Sequence, residues 1–138
     1  RMETVMLPEH REEGGGAGLT VFHTPEHHYD LLVTKRDGKR VAVLRRRVVD
    51  MRCESQPILL EGEGPVYLRI DATRLEYSFY AGTDPQKLQL AGTGCTRLMA
   101  TECTVCTFTG CFYGMFAEGE AEASFDYFSV EQDKEHGA

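Results

Sequence analysis

No stretch of 18 consecutive apolar residues occurs in the 138-residue chain, so the sequence predicts no membrane-spanning helix. A positively charged segment followed by an apolar run, which would mark a secretory signal, is also missing. No window of 11 or more residues repeats its apolar positions with a helical period, as all-α and α/β proteins would. The sequence motifs of serine hydrolases, phosphate-binding loops and zinc proteases are absent as well, which removes three large classes of enzyme.

The cysteines do not form the pattern of a disulfide framework or of a zinc site. They number five, and an odd count in a chain of this length favours free thiols in a reducing cytoplasm. Cys103-x-x-Cys106 has no second such pair and no histidine at ligand spacing beyond it, and Cys111 adds one further local thiol. We therefore expect a cytoplasmic protein with no zinc site.

The net charge is −7, and the charges are unevenly distributed. Eight lysines and arginines fall within residues 35–52, whereas seven acidic residues fall within 117–138 against Lys134 alone. An acidic chain with one basic segment is not expected to bind nucleic acid. We interpret Arg45–Arg47 as a solvated strand end or an interdomain contact. Pairing of the basic segment with the acidic tail between copies would give a homo-oligomer, which the sequence leaves open.

Short runs of alternating apolar and polar residues fill most of the chain from Gly18 onward, as in strands that bury one face. Asp37-Gly38 lies between two such runs and is a strong signal for a hairpin turn. The positions that share a side in successive runs are Leu19, Val21 and His23; Tyr29, Leu31 and Val33; Val66, Leu68 and Ile70; and Leu75, Tyr77 and Phe79.

These runs predict an all-β fold, a two-sheet antiparallel β-sandwich of the jelly-roll type. We expect a flexible lead-in or surface loop over 1–17, the sandwich over 18–131 and a polar tail over 132–138. Within the sandwich we expect a short strand at 87–91 and irregular chain over 92–107. Two last strands, at about 111–117 and 122–131, are predicted to be joined by a turn at 118–120.

The carboxylates near the C-terminus do not predict a catalytic pair. Glu118, Glu120 and Glu122 alternate along an extended segment, and we interpret them as the solvated tip of a hairpin. Asp126 is a candidate to cap a turn, to pair with one of the arginines or to ligate a structural Ca²⁺, although the sequence does not identify the further oxygen ligands that Ca²⁺ needs. Apart from this candidate Ca²⁺ ligand, we expect no catalytic residue, no metal site and no cofactor in this chain.

Exposed aromatic side chains are the remaining candidates for ligand binding. The chain lacks Trp, the residue favoured for stacking against sugar rings, but Tyr67, Tyr80 and Tyr113 are candidates for the same role. An independent carbohydrate-binding, lectin-like module is therefore one functional hypothesis.

The C-terminal segment carries a resemblance to a known family. The stretch "FTGCFYGMFA", followed by "FDYF", resembles the closing segment of the C-terminal β-sandwich domain of glycoside hydrolase family 43 β-xylosidases. Cys111 and Tyr113 depart from that pattern, in which a small residue and a small or β-branched residue are usual. Residues that match the pattern are Phe108, Thr109, Gly110, Phe112, Gly114 and Ala117. Three further segments are similar to earlier strands of that domain: Ala17–Leu31, Gly38–Val48 and Val66–Asp84.

The resemblance implies a concanavalin A-like sandwich fused to a catalytic five-bladed propeller, which would hold the catalytic carboxylates. By the match, Phe108, Thr109 and Gly110 would lie at the rim of the propeller's substrate pocket, and Phe108 would narrow it for short xylo-oligosaccharides. The resemblance thus implies a non-catalytic domain of a β-xylosidase or arabinofuranosidase-like hydrolase, with the propeller as its partner.

Overall fold

The structure is a computed structural model that describes residues 1–6, 16–62, 64–73, 75–95, 112–118 and 125–130. Over these residues the chain contains strands, turns and bends but no helix, and therefore no helix that could cross a membrane. The described strands, in chain order, are β1 (Met2–Met6), β2 (Gly16–Thr24), β3 (His27–Arg36), β4 (Lys39–Val48), β5 (Met51–Glu54), β6 (Ile58–Leu59), β7 (Val66–Ala72), β8 (Glu76–Gly82), β9 (Gln89–Cys95), β10 (Phe112–Glu118) and β11 (Phe125–Val130).

The strands form two antiparallel sheets. Sheet A has the order β11-β1-β7-β8-β9. Sheet B has the order β10-β2-β3-β4-β5, and β6 also pairs with β4. The expected all-β, two-sheet sandwich is confirmed.

The core lies between the sheets and is built from alternate residues of each strand, as the period-2 pattern predicted. Leu19 and Leu31 from sheet B are fully buried, as is Phe79 from sheet A. Tyr29 packs edge-on against Phe79 and Tyr77, with ring centroids 5.9 and 6.0 Å away. Its hydroxyl donates a hydrogen bond to the carbonyl oxygen of Cys95 at 2.8 Å, so the buried phenol has a partner across the core.

Glycine at position 94 allows a close approach in this core. A Cβ placed on Gly94 would lie 2.7 Å from the Tyr29 ring, so any larger residue would displace the ring. A second special position is the turn between β3 and β4, where Asp37 and Gly38 have φ of 53° and 75°. Two left-handed residues in a two-residue connection match the right-handed twist of the paired strands, and the predicted hairpin is confirmed.

The expectation of a flexible lead-in or surface loop over 1–17 is wrong at both of its ends. Met2–Met6 forms β1, which lies between β7 and β11 in sheet A and buries Met2 and Met6 in the core. Gly16 and Ala17 already belong to β2. Residues 7–15, which connect β1 to β2, lie outside the described residues.

The two terminal strands also differ from their predicted arrangement. Strands β10 and β11 do not pair with each other: β10 pairs with β2 in sheet B, and β11 pairs with β1 in sheet A. The short strand expected at 87–91 is β9, which runs from Gln89 to Cys95 and so extends into a region predicted to be irregular. Leu75, predicted to face the core, precedes β8 and is 74% exposed.

Candidate functional site

The three residues predicted to form a pocket rim, Phe108, Thr109 and Gly110, lie outside the described residues. The structure does describe the strand that follows them. Strand β10 begins at Phe112, two residues after Gly110, and Phe112 pairs with Phe22 of β2. The chain from the predicted rim therefore joins sheet B beside the end of β2 that carries Phe22.

The three candidate sugar-stacking tyrosines do not lie together. Tyr67 and Tyr80 alternate with buried residues of β7 and β8, so both lie on the outer face of sheet A. The guanidinium carbon of Arg69 lies 4.4 Å from the ring centroid of Tyr80 and covers one side of that ring. Tyr113 pairs with Val21 in sheet B, and its side chain is outside what the structure describes. Sugar stacking by these residues stays a prediction.

A basic groove lies on the other sheet, and sequence analysis missed it. Its volume is about 490 Å³. It is lined by His28, Arg45, Arg46, Arg47, Arg52, Cys53 and Glu54. The antiparallel register explains why these residues meet: His28 of β3 lies opposite Arg47 of β4, which lies opposite Arg52 of β5. The signal in the sequence was that Arg45 and Arg47 lie on the same side of β4. This signal indicates a basic groove only when the neighbouring strands are aligned with β4.

An ion cluster anchors one wall of the groove. Asp30 is buried, and Arg45 Nη2 and Nε lie 2.8 and 3.2 Å from its Oδ2. Thr20 donates a 2.7 Å hydrogen bond to the other carboxylate oxygen. His28 Nδ1 lies 3.1 Å from Oδ2, in an approach that is not aligned as a hydrogen bond.

These contacts decide the protonation state of Asp30. Burial by itself would raise the pKa of Asp30, because a charged carboxylate loses hydration in the protein interior. The contacts from His28, Arg45 and Thr20 outweigh burial, and the pKa of Asp30 lies below its ordinary value. Asp30 is therefore ionised at neutral pH and fixes the position of Arg45 on this face.

Arg46 also lines the groove, but it differs from its neighbours because its guanidinium lies between the sheets. Its Nε and Nη2 donate to the carbonyl oxygen of Thr93 at 2.9 and 2.7 Å, which ties β4 to β9 across the sandwich. Gly92 makes room for this side chain, since a Cβ there would lie 2.9 Å from Arg46 Nη2.

No group of three or more metal-ligating side chains occurs among the described residues. Cys53 and Cys95 are free and exposed. Cys103, Cys106 and Cys111 lie outside the described residues, as do Glu120 and Glu122. Glu118 and Asp126 lie in β10 and β11, but their side chains are not described. A Ca²⁺ site at Asp126 stays a prediction.

The fold and this site define an antiparallel β-sandwich with a ligand-sized basic groove and no metal cluster among the described residues. The family model of the β-xylosidase C-terminal concanavalin A-like domain matches residues 1–131 of this chain. The chain belongs to this domain family of glycoside hydrolase family 43, and the family resemblance carried by its C-terminal segment is confirmed.

The relatives are much longer than this chain. It is 38% identical over 125 residues to a non-reducing end α-L-arabinofuranosidase of Bacteroides ovatus, across 84% of this chain and 22% of the enzyme. A solved structure of the Bacteroides ovatus xyloglucan PUL GH43B is 34% identical, with a TM-score of 0.78. A xylan β-1,4-xylosidase from Bacillus halodurans is 27% identical, with a TM-score of 0.82. Each of these two structures matches over 92% of this chain and 26% of its own length, so the chain spans about a quarter of them.

Proposed function

We propose that this chain is the accessory, non-catalytic β-sandwich of a family 43 glycoside hydrolase of the β-xylosidase or arabinofuranosidase kind. In the parent protein it packs on a catalytic propeller and helps to close a pocket for xylo-oligosaccharides. The observation that carries the proposal is the family match over residues 1–131, together with relatives in which the matching part is about a quarter of the chain.

The electrostatics of the described residues support a non-catalytic role. Glycoside hydrolysis requires two carboxyl groups about 5–9.5 Å apart across the sugar, one of them with a raised pKa so that it can donate a proton. Asp30, the buried carboxylate of the described residues, has a lowered pKa and is held by Arg45. A carboxylate held in its ionised form is unsuited to act as the general acid.

The position of β10 supports a role at the pocket rim. Among the described strands, β10 lies at an edge of sheet B, and the chain that precedes it carries Phe108, Thr109 and Gly110. An edge strand leaves one side of its backbone without a strand neighbour, so a neighbouring domain has access to the chain that leads into it. In this proposal Phe108 supplies an apolar wall to the pocket of the propeller.

The test compares three preparations on a chromogenic xyloside and a chromogenic arabinofuranoside: the full-length parent, the parent truncated before Arg1, and the 138-residue chain. We expect turnover by the full-length parent, a lower kcat/KM for the truncated parent, and none for this chain. Turnover by the purified chain would contradict the non-catalytic role. Equal kcat/KM for the full-length and truncated parents would contradict the contribution to the pocket.

An independent carbohydrate-binding module is the second candidate, favoured by the placement of Tyr67 and Tyr80 on one outer face. Titration of the chain with xylotriose by NMR separates the two functions. Saturable shifts around these tyrosines would support a binding module, whereas their absence at millimolar sugar would support the accessory role.

A further inference from the structure

We propose that the basic groove on the outer face of sheet B binds the carboxylate of an acidic saccharide, a uronic acid or an oligosaccharide that carries one. The proposal goes beyond pocket closure, since it is argued from described residues that are not those of the predicted rim. It relies on the proposed function only for the statement that the ligand is a saccharide. The preference for an oxyanion follows from the arginines of the groove.

The groove has more positive than negative charge available to a ligand. Of its acidic neighbours, Glu54 accepts from Arg36 through both carboxylate oxygens, at 3.1 and 3.2 Å, and Asp30 is occupied by Arg45. The Arg52 guanidinium forms no ion pair or hydrogen bond with any residue that the structure describes. The one described hydrogen bond of the Arg47 side chain runs to the backbone oxygen of Val49, at 3.2 Å, which leaves its charge uncompensated.

The strand register sets two of these cations face to face. Arg47 and Arg52 are directly opposite each other across β4 and β5, and like charges in that position destabilise a sheet. His28 extends the same row on β3. An oxyanion bound between the arginines would relieve the repulsion and accept the paired N–H donors that guanidinium groups present.

The turn that places Arg52 opposite Arg47 is itself strained. Val49 has a φ of 59°, a left-handed conformation that is unfavourable for a β-branched residue. Its carbonyl oxygen accepts from Arg47, so the strained residue also orients one of the two cations. Backbone strain of this kind is concentrated at functional sites.

An aromatic pair at one end of the row favours a sugar over a simple anion. Phe22 stacks on His28 with ring centroids 5.7 Å apart and an interplanar angle of 26°. Phe22 is half-buried, and its pairing with His28 places it on the face that carries Arg47 and Arg52. The apolar face of a pyranose packs on such a ring, and the groove volume of about 490 Å³ is in the range of small-ligand sites.

The test is an NMR titration of the 138-residue chain with three probes: xylotriose carrying a glucuronic acid branch, unbranched xylotriose and inorganic phosphate. We expect saturable shifts at Phe22, His28 and the arginine side chains, with the acidic sugar binding roughly tenfold or more tightly than either other probe. Equal affinity for phosphate and the acidic sugar would overturn the saccharide assignment. Equal affinity for both sugars, or no shifts in the groove, would overturn the whole proposal.

Substitutions that remove positive charge locate the site. The double variant Arg47→Gln, Arg52→Gln should lose the tighter binding of the acidic sugar and its sensitivity to salt. Lys87→Gln removes one charge from an exposed turn beside sheet A and should leave binding unchanged. Retained affinity in the double variant would contradict the assignment. These measurements use no parent enzyme, so a failure here leaves the pocket-closing role standing, and a failure of that role leaves the groove to be tested.

Discussion

The substitution Asp30→Asn tests whether the ion cluster stabilises sheet B. Asparagine keeps the shape of the side chain and can still accept from Thr20, but it removes the negative charge that faces Arg45 and His28. Removal of one partner from a buried ion pair costs about 3–5 kcal/mol, because the other charge is left buried and unpaired. The Arg45 side chain is 28% exposed and regains part of its hydration. We therefore expect a loss of about 2–3 kcal/mol in the free energy of unfolding.

The same cluster predicts the direction of the response to acid. The pKa of Asp30 is lower in the folded chain than its ordinary value of 3.8, which applies to the unfolded chain. The folded state therefore binds this proton less readily than the unfolded state does. The stabilisation is complete above pH 3.8 and is lost as the pH falls from there through the folded pKa. The variant should lack this part of the acid dependence.

Urea unfolding followed by far-ultraviolet circular dichroism, at neutral pH and at several acidic pH values, measures both effects. Asp37→Asn is the matched control, because Asp37 lies in an exposed turn with a φ of 53° that asparagine also adopts. That control should change stability by less than about 0.5 kcal/mol. Equal stability of the two variants, or an unchanged acid dependence in Asp30→Asn, would refute the stabilising role of the cluster.

Three further substitutions and one control test the packing and one turn by the same unfolding assay. Gly94→Ala should lower the free energy of unfolding by about 1–3 kcal/mol, because its Cβ would lie 2.7 Å from the Tyr29 ring. As the control, Gly114→Ala meets nothing within 4 Å and should lower it by less than half as much. Equal losses in the two variants would contradict the packing argument. Tyr29→Phe should cost about 1 kcal/mol by removing the hydrogen bond to Cys95, and an unchanged midpoint would show that this bond contributes nothing. Val49→Gly should stabilise the chain by up to about 1 kcal/mol through relief of its left-handed strain, and a clear loss would contradict that strain.

The sequence predicted those parts of the fold that depend on local pattern. Alternating runs such as Leu19, Val21 and His23 identify a strand and its buried face because the side-chain period is two. Asp37-Gly38 predicts its turn because both residues tolerate positive φ. The C-terminal motif predicted the family through its ordered matches, which the family model then bore out.

Features that depend on pairing between distant segments were not predictable in the same way. Met2 pairs with Ile70 and Val130. The local sequence of a five-residue strand does not indicate which segments it pairs with so far along the chain. The separation of β10 and β11 into different sheets has the same origin, since a short connection between two strands also fits a hairpin. The basic groove depends on the alignment of Arg47 with both His28 and Arg52, whereas along the chain the arginines form only a charged run.

The most direct test of the central claim is the kinetics of the full-length parent with Phe108→Ala, compared with Phe116→Ala. Phe116 is half-buried in β10 and pairs with Gly18, at the opposite end of that strand from the predicted rim. If Phe108 forms a wall of the pocket, kcat/KM on xylo-oligosaccharides falls roughly tenfold or more while the melting temperature stays near that of the parent. Phe116→Ala should lower the melting temperature and leave kcat/KM within about twofold. Unchanged kcat and KM in Phe108→Ala would contradict the role of this domain in completing the pocket.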